Sequence, residues 1–255
     1  GVASATNGTR SDQEAITLLR DSGARVHVSI DGPPAYHDAF RGRKGAFRKA
    51  SRSIGLMLDA GIPVSVVTTV CQDNLVHLSW LAEWASRRGI RNVIIQPLLQ
   101  LGRAREIREK KLSQGQICDL FFHVSDLGSV YRDRGLEFSI TYKSRDMLLK
   151  HPCAAYVCDG TRCHRHAAKE IKRLILREDG TVLPEIPTLN PRFSLGNIRE
   201  GLLVDLVKRY FDSGYADFDR LCRSTYAAVV PGWESPVIPW DEIVSEESWK
   251  AGALQ

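Results

Sequence analysis

Short apolar runs rich in β-branched residues alternate along the chain with longer segments whose apolar residues recur at helical spacing. Val2 to Thr6 reads as the end of a strand, and Asp12 to Asp21, with Ala15, Ile16, Leu18 and Leu19 apolar, as a helix closed by Gly23. Arg25 to Ile30 alternates like a strand and stops at Asp31-Gly32-Pro33-Pro34. The spacing of Ile54, Leu56, Met57 and Leu58 predicts a helix over Phe47 to Ala60, ended by Gly61 and followed by the β-branched run Pro63 to Val70. Asn74 is the expected N-cap of a helix over Leu75 to Arg88, closed by Gly89, and Asn92 to Gln96 is the next strand. A helix over Ser113 to Arg134 and a strand over Leu136 to Tyr142 complete this half.

A unit of strand, loop, helix, glycine and strand, repeated about every thirty residues, implies an α/β fold of parallel strands joined by right-handed crossovers. From about His151 the texture changes to cysteines and turn residues. A hairpin-like stretch follows, with Ile171 to Leu176 and Thr181 to Leu183 on either side of Glu178-Asp179-Gly180, and then a helix over Leu202 to Phe211. A boundary is therefore placed near residue 150, dividing the chain into 1–150 and 151–255. The tail after Pro231, rich in Pro, Trp, Glu and Ser, is expected to pack along the surface or to be partly loose.

Composition narrows the class. With 255 residues, 43% hydrophobic and 25% charged, the chain buries one sizeable core plus a smaller appendage and is not a disordered sequence. No apolar run approaches the roughly 20 residues of a membrane span, and the first residues lack a charged and an apolar export region. The expectation is a soluble, cytoplasmic protein with no membrane partner. The net charge of +5 is spread over helical surroundings, which reads as a solvated surface and not as a nucleic-acid footprint. Six cysteines without an export signal point to reduced thiols or metal ligation, not to a disulfide scaffold. The chain starts at Gly1, inside what reads as a strand, so it is expected to be a fragment.

Parallel α/β folds bind ligands at the carboxyl ends of their strands, where loops and helix N-termini converge. Those ends here are Thr6-Asn7, Ser29 to Asp31, Thr68-Thr69 and Gln96, small and polar where the strands before them are apolar. Each of these residues is also a competent cap for the helix that follows.

At these ends the chain resembles a known family. Thr6-Asn7-Gly8, then Val28-Ser29-Ile30-Asp31-Gly32-Pro33 with Tyr36-His37-Asp38 and Arg41-Gly42, then Val66 to Val70 with Asn74, and finally Pro97-Leu98 with Gly102-Arg103, resemble strands three to six of radical S-adenosylmethionine (SAM) enzymes. The likeness is greatest to those with a SPASM or twitch extension, which include peptide and protein maturases. It covers roughly residues 1–105, and Leu195-Gly196-Asn197-Ile198 resembles an element of the extension. The resemblance implies a partial (β/α) TIM-like barrel with a small α+β C-terminal extension. It further implies SAM and a [4Fe-4S] cluster as cofactors, a peptide or protein substrate, and an electron donor such as flavodoxin or ferredoxin.

By the same resemblance Thr6, Asn7, Ser29, Asp31, Arg41, Thr68 and Gln96 line the SAM pocket, with Arg41 placed to pair with a carboxylate. The family's Cys-x3-Cys-x2-Cys loop and its Gly-Gly-Glu-type segment are not found in this sequence. Truncation is the expected reason, and this chain alone is then expected to be inactive.

The extension of the family usually carries auxiliary clusters, with a cysteine at the end of a Gly-x4-Cys hairpin. Here the hairpin is Gly180 to Glu185, so a glutamate stands where that cysteine is expected. Cys153, Cys158 and Cys163, with His164 and His166 adjacent and Cys222 as a distant fourth ligand, are the candidate metal ligands, for an Fe-S cluster or for structural Zn. Cys71 and Cys118 read as packed small hydrophobes. The alternative to an enzyme is a non-catalytic barrel that binds a peptide or acts as a scaffold.

Overall fold

A computed structural model describes residues 1–9, 12–99, 102–157 and 171–253. They form two compact units, Gly1–Thr141 and Tyr142–Gln255. The division falls ahead of residue 150 because the short strand and helix after Tyr142 pair and pack within the second unit.

The first unit runs β1 (Ala3–Thr6), α1 (Gln13–Asp21), β2 (Arg25–Ser29), α2 (Pro34–Phe40), α3 (Ala46–Asp59), β3 (Val64–Val70), α4 (Leu78–Arg87), β4 (Asn92–Pro97), α5 (Gln114–Tyr131) and β5 (Glu137–Ile140). The strands form one five-stranded sheet in the order β1-β2-β3-β4-β5, every neighbouring pair parallel. Parallel neighbours in sequential order, joined by right-handed crossovers, carry all their helices on one face. The sheet is therefore an open α/β barrel, as expected, and not a doubly wound sheet.

Local chemistry sets the ends of these elements. Asp12 caps α1 by accepting from Ala15 N at 2.9 Å, and Ser113 with Gln116 forms a capping box on α5. Gly8 turns the chain after β1 at φ 66°, and a Cβ there would lie 2.9 Å from Val28 Cγ1 and 3.0 Å from Ala50 Cα. Only glycine fits that turn.

Short helix α2 has no counterpart in the periodicity, because its seven residues follow Pro33-Pro34 and are too few to show a repeat. Pro34 at its first turn is tolerated because the missing N–H has no helical partner there. Gly45 stands at the N-cap of α3 and has no side chain to cap it. Asp38 supplies the cap from α2, its carboxylate accepting from Gly45 N at 2.5 Å and Phe47 N at 2.8 Å. These two N–H groups hold the Asp38 carboxyl below the usual range.

The second unit contains β6 (Lys143–Ser144), α6 (Arg145–Lys150), β7 (Leu174–Leu176), β8 (Thr181–Pro184), β9 (Gly196–Asn197), α7 (Leu203–Arg209), α8 (Tyr215–Val229), β10 (Val237–Ile238) and α9 (Trp240–Ala253). β7 and β8 are the expected hairpin, extended by β9 into a three-stranded antiparallel sheet, while β10 pairs with β6. Its core gathers Leu148, Leu183, Phe193, Leu206, Phe218, Cys222 and Trp240. The expectation for the tail after Pro231 is corrected: it forms β10 and α9, and Trp240, Ile238 and Val244 have no exposed surface. Among the described residues no helix is long and apolar enough to cross a membrane.

Candidate functional site

Side chains alternate across a strand, so the register sorts every strand residue onto one of two faces. One row, Thr6, Val28, Val66, Val93 and Phe138, lies on the face that also carries Val26, Ile95 and Val70, all buried. This is the helix-covered face. The other face carries Ala5, His27 and Ser65 in one row, Ser29, Val67, Ile94 and Ser139 in the next, and Thr69 beside Gln96 nearest the carboxyl ends. It is polar and mostly half-buried, with hydroxyl, amide and imidazole groups aimed off the sheet.

That sorting divides the residues expected to line one mouth. Ser29 and Gln96 stand on the open face. Thr68 is in phase with Val66 and Val70, is 1% exposed, and belongs to the helix-covered side; Thr6 shares that side. Thr6 Oγ1 accepts from Gly8 N at 3.1 Å, and Asn7 Oδ1 accepts from Thr9 N at 3.0 Å and Thr9 Oγ1 at 2.8 Å. These two residues shape the turn after β1.

Asp31 and Arg41 also depart from the expected pocket lining, because they bind each other. The Asp31 side chain is fully buried, and Arg41 donates to both its oxygens, Nε to Oδ2 at 2.5 Å and Nη2 to Oδ1 at 2.9 Å. Thr69 N donates to Oδ1 at 3.1 Å. His37 Nδ1 lies 3.1 Å from Asp31 N and 3.3 Å from Oδ2. Burial pushes the Asp31 carboxyl upward, but the His37 contact, the Arg41 guanidinium and the Thr69 N–H together outweigh it and hold it below the usual range.

Asn74 was the expected helix N-cap, yet it makes no side-chain cap bond. It is 1% exposed, its Oδ1 accepting from Cys71 N at 2.8 Å and its Nδ2 donating to Asp31 O at 3.1 Å and Thr69 O at 2.9 Å. Asp31, Arg41, His37 and Asn74 thus form a brace that fixes the ends of β2 and β3, and Ser29 and Thr69 with them. Strand parity was the signal available for His27, which the strand-end reading passed over, and for telling Thr69 on the open face from its neighbour Thr68. The long-range partners of His37 and Asn74 left no local trace.

In the second unit Cys153 lines a cavity of about 20 Å³ with Tyr156, Ile171, Lys172, Glu185, Tyr215 and Phe218, room for a water but not for a cluster. Cys222 is fully buried on α8, and burial first, with the Asp219, Asp241 and Glu185 charges, pushes its thiol up. Cys158, Cys163, His164 and His166 lie outside the described residues. Glu185, at φ 56°, uses its carboxylate on the backbone: it accepts from Lys172 N, and from Arg173 N at 3.1 Å. Among the described residues no group of three or more His, Cys, Asp or Glu is placed to hold a metal.

Taken together, the strands and their polar open face define an α/β barrel braced at two strand ends. Residues 1–77, within the barrel unit, match the model of the Radical SAM superfamily. The chain is 38% identical over 112 residues to the AdoMet-dependent heme synthase of Nitratidesulfovibrio vulgaris, a match spanning 43% of this chain and 30% of that protein. It is 34% identical over 102 residues to the sporulation killing factor maturation protein SkfB of Bacillus subtilis, covering 40% of this chain and 25% of that one. The matched stretches thus span about a third or less of these relatives. Among solved structures, native anSMEcpe with bound AdoMet and the Kp18Cys peptide is similar over 99% of this chain and 73% of its own, with a TM-score of 0.59 at 16% identity. Streptococcus suis SuiB bound to S-adenosylmethionine is similar over 86% of this chain and 50% of its own, with a TM-score of 0.60 at 15% identity.

Proposed function

We propose that the chain forms the SAM-binding and substrate-facing part of a radical SAM enzyme that modifies a peptide or protein. The observation that carries this reading is the open sheet face, where Ser29, Thr69 and Gln96 converge at braced strand ends. Its hydroxyl and amide groups suit the hydroxyls and amines of a nucleoside, so the open face fits SAM. The sequence contains no Cys-x3-Cys-x2-Cys run, so the [4Fe-4S] cluster is not fitted by residues of this chain and no radical-forming step is assigned to them. Bound at such a cluster, SAM would supply the radical chemistry of the family, with electrons from a donor such as flavodoxin or ferredoxin. The residues here orient the nucleoside and, through the Asp31–Arg41 brace, keep Ser29 and Thr69 in place.

A peptide substrate is supported by the maturation role in the name of SkfB and by the peptide bound to anSMEcpe. The higher identity to AdoMet-dependent heme synthase favours a second reading, in which the mouth takes an iron porphyrin. The test is titration of the chain with SAM, followed by a random peptide pool and by iron coproporphyrin, each at saturating SAM. Saturable SAM binding and peptide retention are expected. Retention of the porphyrin alone replaces the peptide reading with the second, and absence of SAM binding overturns both.

A further inference from the structure

The net charge of +5 is gathered in one stretch of the chain. Between Asp38 and Asp59 there are six basic residues, Arg41, Arg43, Lys44, Arg48, Lys49 and Arg52, and no carboxylate. The other 29 of the 35 Lys and Arg are offset by the 30 Asp and Glu, all of which lie outside this stretch. Arg41 is paired with Asp31. The other five are exposed, and none of them has an ion-pair partner among the described residues.

The fold brings these cations together. Phe47, Ala50, Ile54 and Met57 are on the buried side of α3, which leaves Arg48, Lys49 and Arg52 on its outer side. Arg43 and Lys44 precede them in the turn between α2 and α3. Arg88, at the end of α4, adds a further cation, its Nη2 donating to Ser51 Oγ at 3.1 Å and its guanidinium 4.4 Å from the centroid of the Trp84 ring. Asp38, the carboxylate just before the stretch, is turned instead to the N–H groups of Gly45 and Phe47.

One end of this stripe is at the barrel rim. Helix α3 follows β2 and leads back to β3, so its first turn stands at the carboxyl ends of the strands. Arg41, two residues before Arg43, grips Asp31 just after β2. From Gly45 to Arg52 the helix rises about 10 Å, the reach of about three residues of extended peptide. A stable interface between folded proteins takes about 800 Å² from each partner, far more than one side of two helical turns provides. The width therefore suits a single extended chain, and the sign of the charge selects carboxylates and repels Lys and Arg.

We infer that the outer side of α3, with the turn before it, is a docking stripe for an acidic segment of the peptide substrate, flanking the residue presented to the open face. The inference rests on the peptide reading of the function and adds to it the charge of the substrate and the place where that charge is read.

The test titrates labelled peptides into the whole chain with SAM present, one peptide carrying a run of glutamates and the other glutamines in their place. At low salt the glutamate peptide is expected to bind about tenfold more tightly, with the difference shrinking as NaCl is added. Replacing three cations together, Arg48→Gln, Lys49→Gln and Arg52→Gln, is expected to weaken the glutamate peptide about tenfold, the loss of three exposed charge contacts, and to leave the glutamine peptide unchanged. The control variant Arg132→Gln, Lys208→Gln, Arg209→Gln removes the same charge from exposed positions elsewhere and is expected to shift affinity less than twofold. Equal binding of the two peptides by the wild type, or equal losses in the two variants, overturns the inference. Flavodoxin and a short oligonucleotide are titrated in parallel. Either one, if it binds more tightly than the glutamate peptide and loses more in the α3 variant, displaces the peptide as occupant and also overturns it. Binding of SAM is measured on each variant and is expected to match the wild type, since none of these residues is on the open face. A wild type that does not bind SAM defeats the open-face reading and leaves the comparison of the two peptides intact.

Discussion

Arg41 grips Asp31 through both of its carboxylate oxygens, and that one pair ties the end of α2 to the turn after β2. The carboxylate is fully buried while the guanidinium side chain keeps 30% of its surface exposed. The pair is therefore an anchor with one end in the core and the other at the rim. Arg41 commits Nε and Nη2 to the fold.

Replacing Arg41 with Leu leaves the Asp31 carboxylate buried with only the Thr69 N–H and the His37 contact beside it. The expected loss is about 3 kcal/mol, the lower end for breaking a buried pair because Arg41 is partly solvated. Urea denaturation of Arg41→Leu, Asp31→Asn and the double variant measures it. A coupling energy near zero would show that the two residues do not act as a unit.

The same pair sets an acid limit. Asp31 has a folded pKa below its unfolded one, so its contribution is complete above the unfolded value of about 3.9 and is lost as pH falls through that value toward the folded one. Between pH 5 and 3 the stability of the wild type should fall more steeply than that of Asp31→Asn, by up to one proton, or about 1.4 kcal/mol per pH unit. Urea midpoints at half-unit pH steps give the two slopes, and equal slopes contradict the assignment.

The two sheet faces predict opposite outcomes for residues of similar chemistry. Gln96→Ala, on the open face, should weaken SAM binding about five- to tenfold, the loss of a single hydrogen bond. Thr68→Val, on the helix-covered face beside Val66 and Ile95, should leave affinity within about twofold, since it makes no ligand contact for the hydrogen-bond energy to come from. Calorimetric titration decides between them, and a Thr68 effect as large as that of Gln96 would mean that the face assignment is wrong.

Trp240 has no exposed surface and packs edge-on to Tyr226, with ring centroids 6.2 Å apart. Trp240→Ala should destabilise the second unit by about 3–5 kcal/mol, the cost of a large buried cavity. A change below about 1 kcal/mol in a denaturation profile would show that the tail is dispensable to that core.

How much of this was legible depends on the range of the interaction. The five strands and the long helices follow from periodicity, because burial on one side imposes a repeat on the sequence. Helix α2 escaped because seven residues after two prolines carry no repeat. Asn74 stands at the expected N-cap position, but its amide bridges Asp31 O and Thr69 O instead of capping, and only the positions of those two carbonyls distinguish the roles. Thr68 looked like a site residue because it ends a strand, although its phase with Val66 already put it under the helices. The tail looked loose by composition, but it is held by Trp240, one large residue whose burial no pattern announces.

The alternation along β2 and β3 also bears on how such a chain changes over time. Open-face residues and residues that hold the helices occupy alternate places on the same strands, so a substitution at His27 or Ser29 leaves Val26 and Val28 untouched. Chemical preference can therefore drift by single replacements while the folding core answers to a separate constraint. A lineage can exchange one substrate for another without first having to rebuild its barrel.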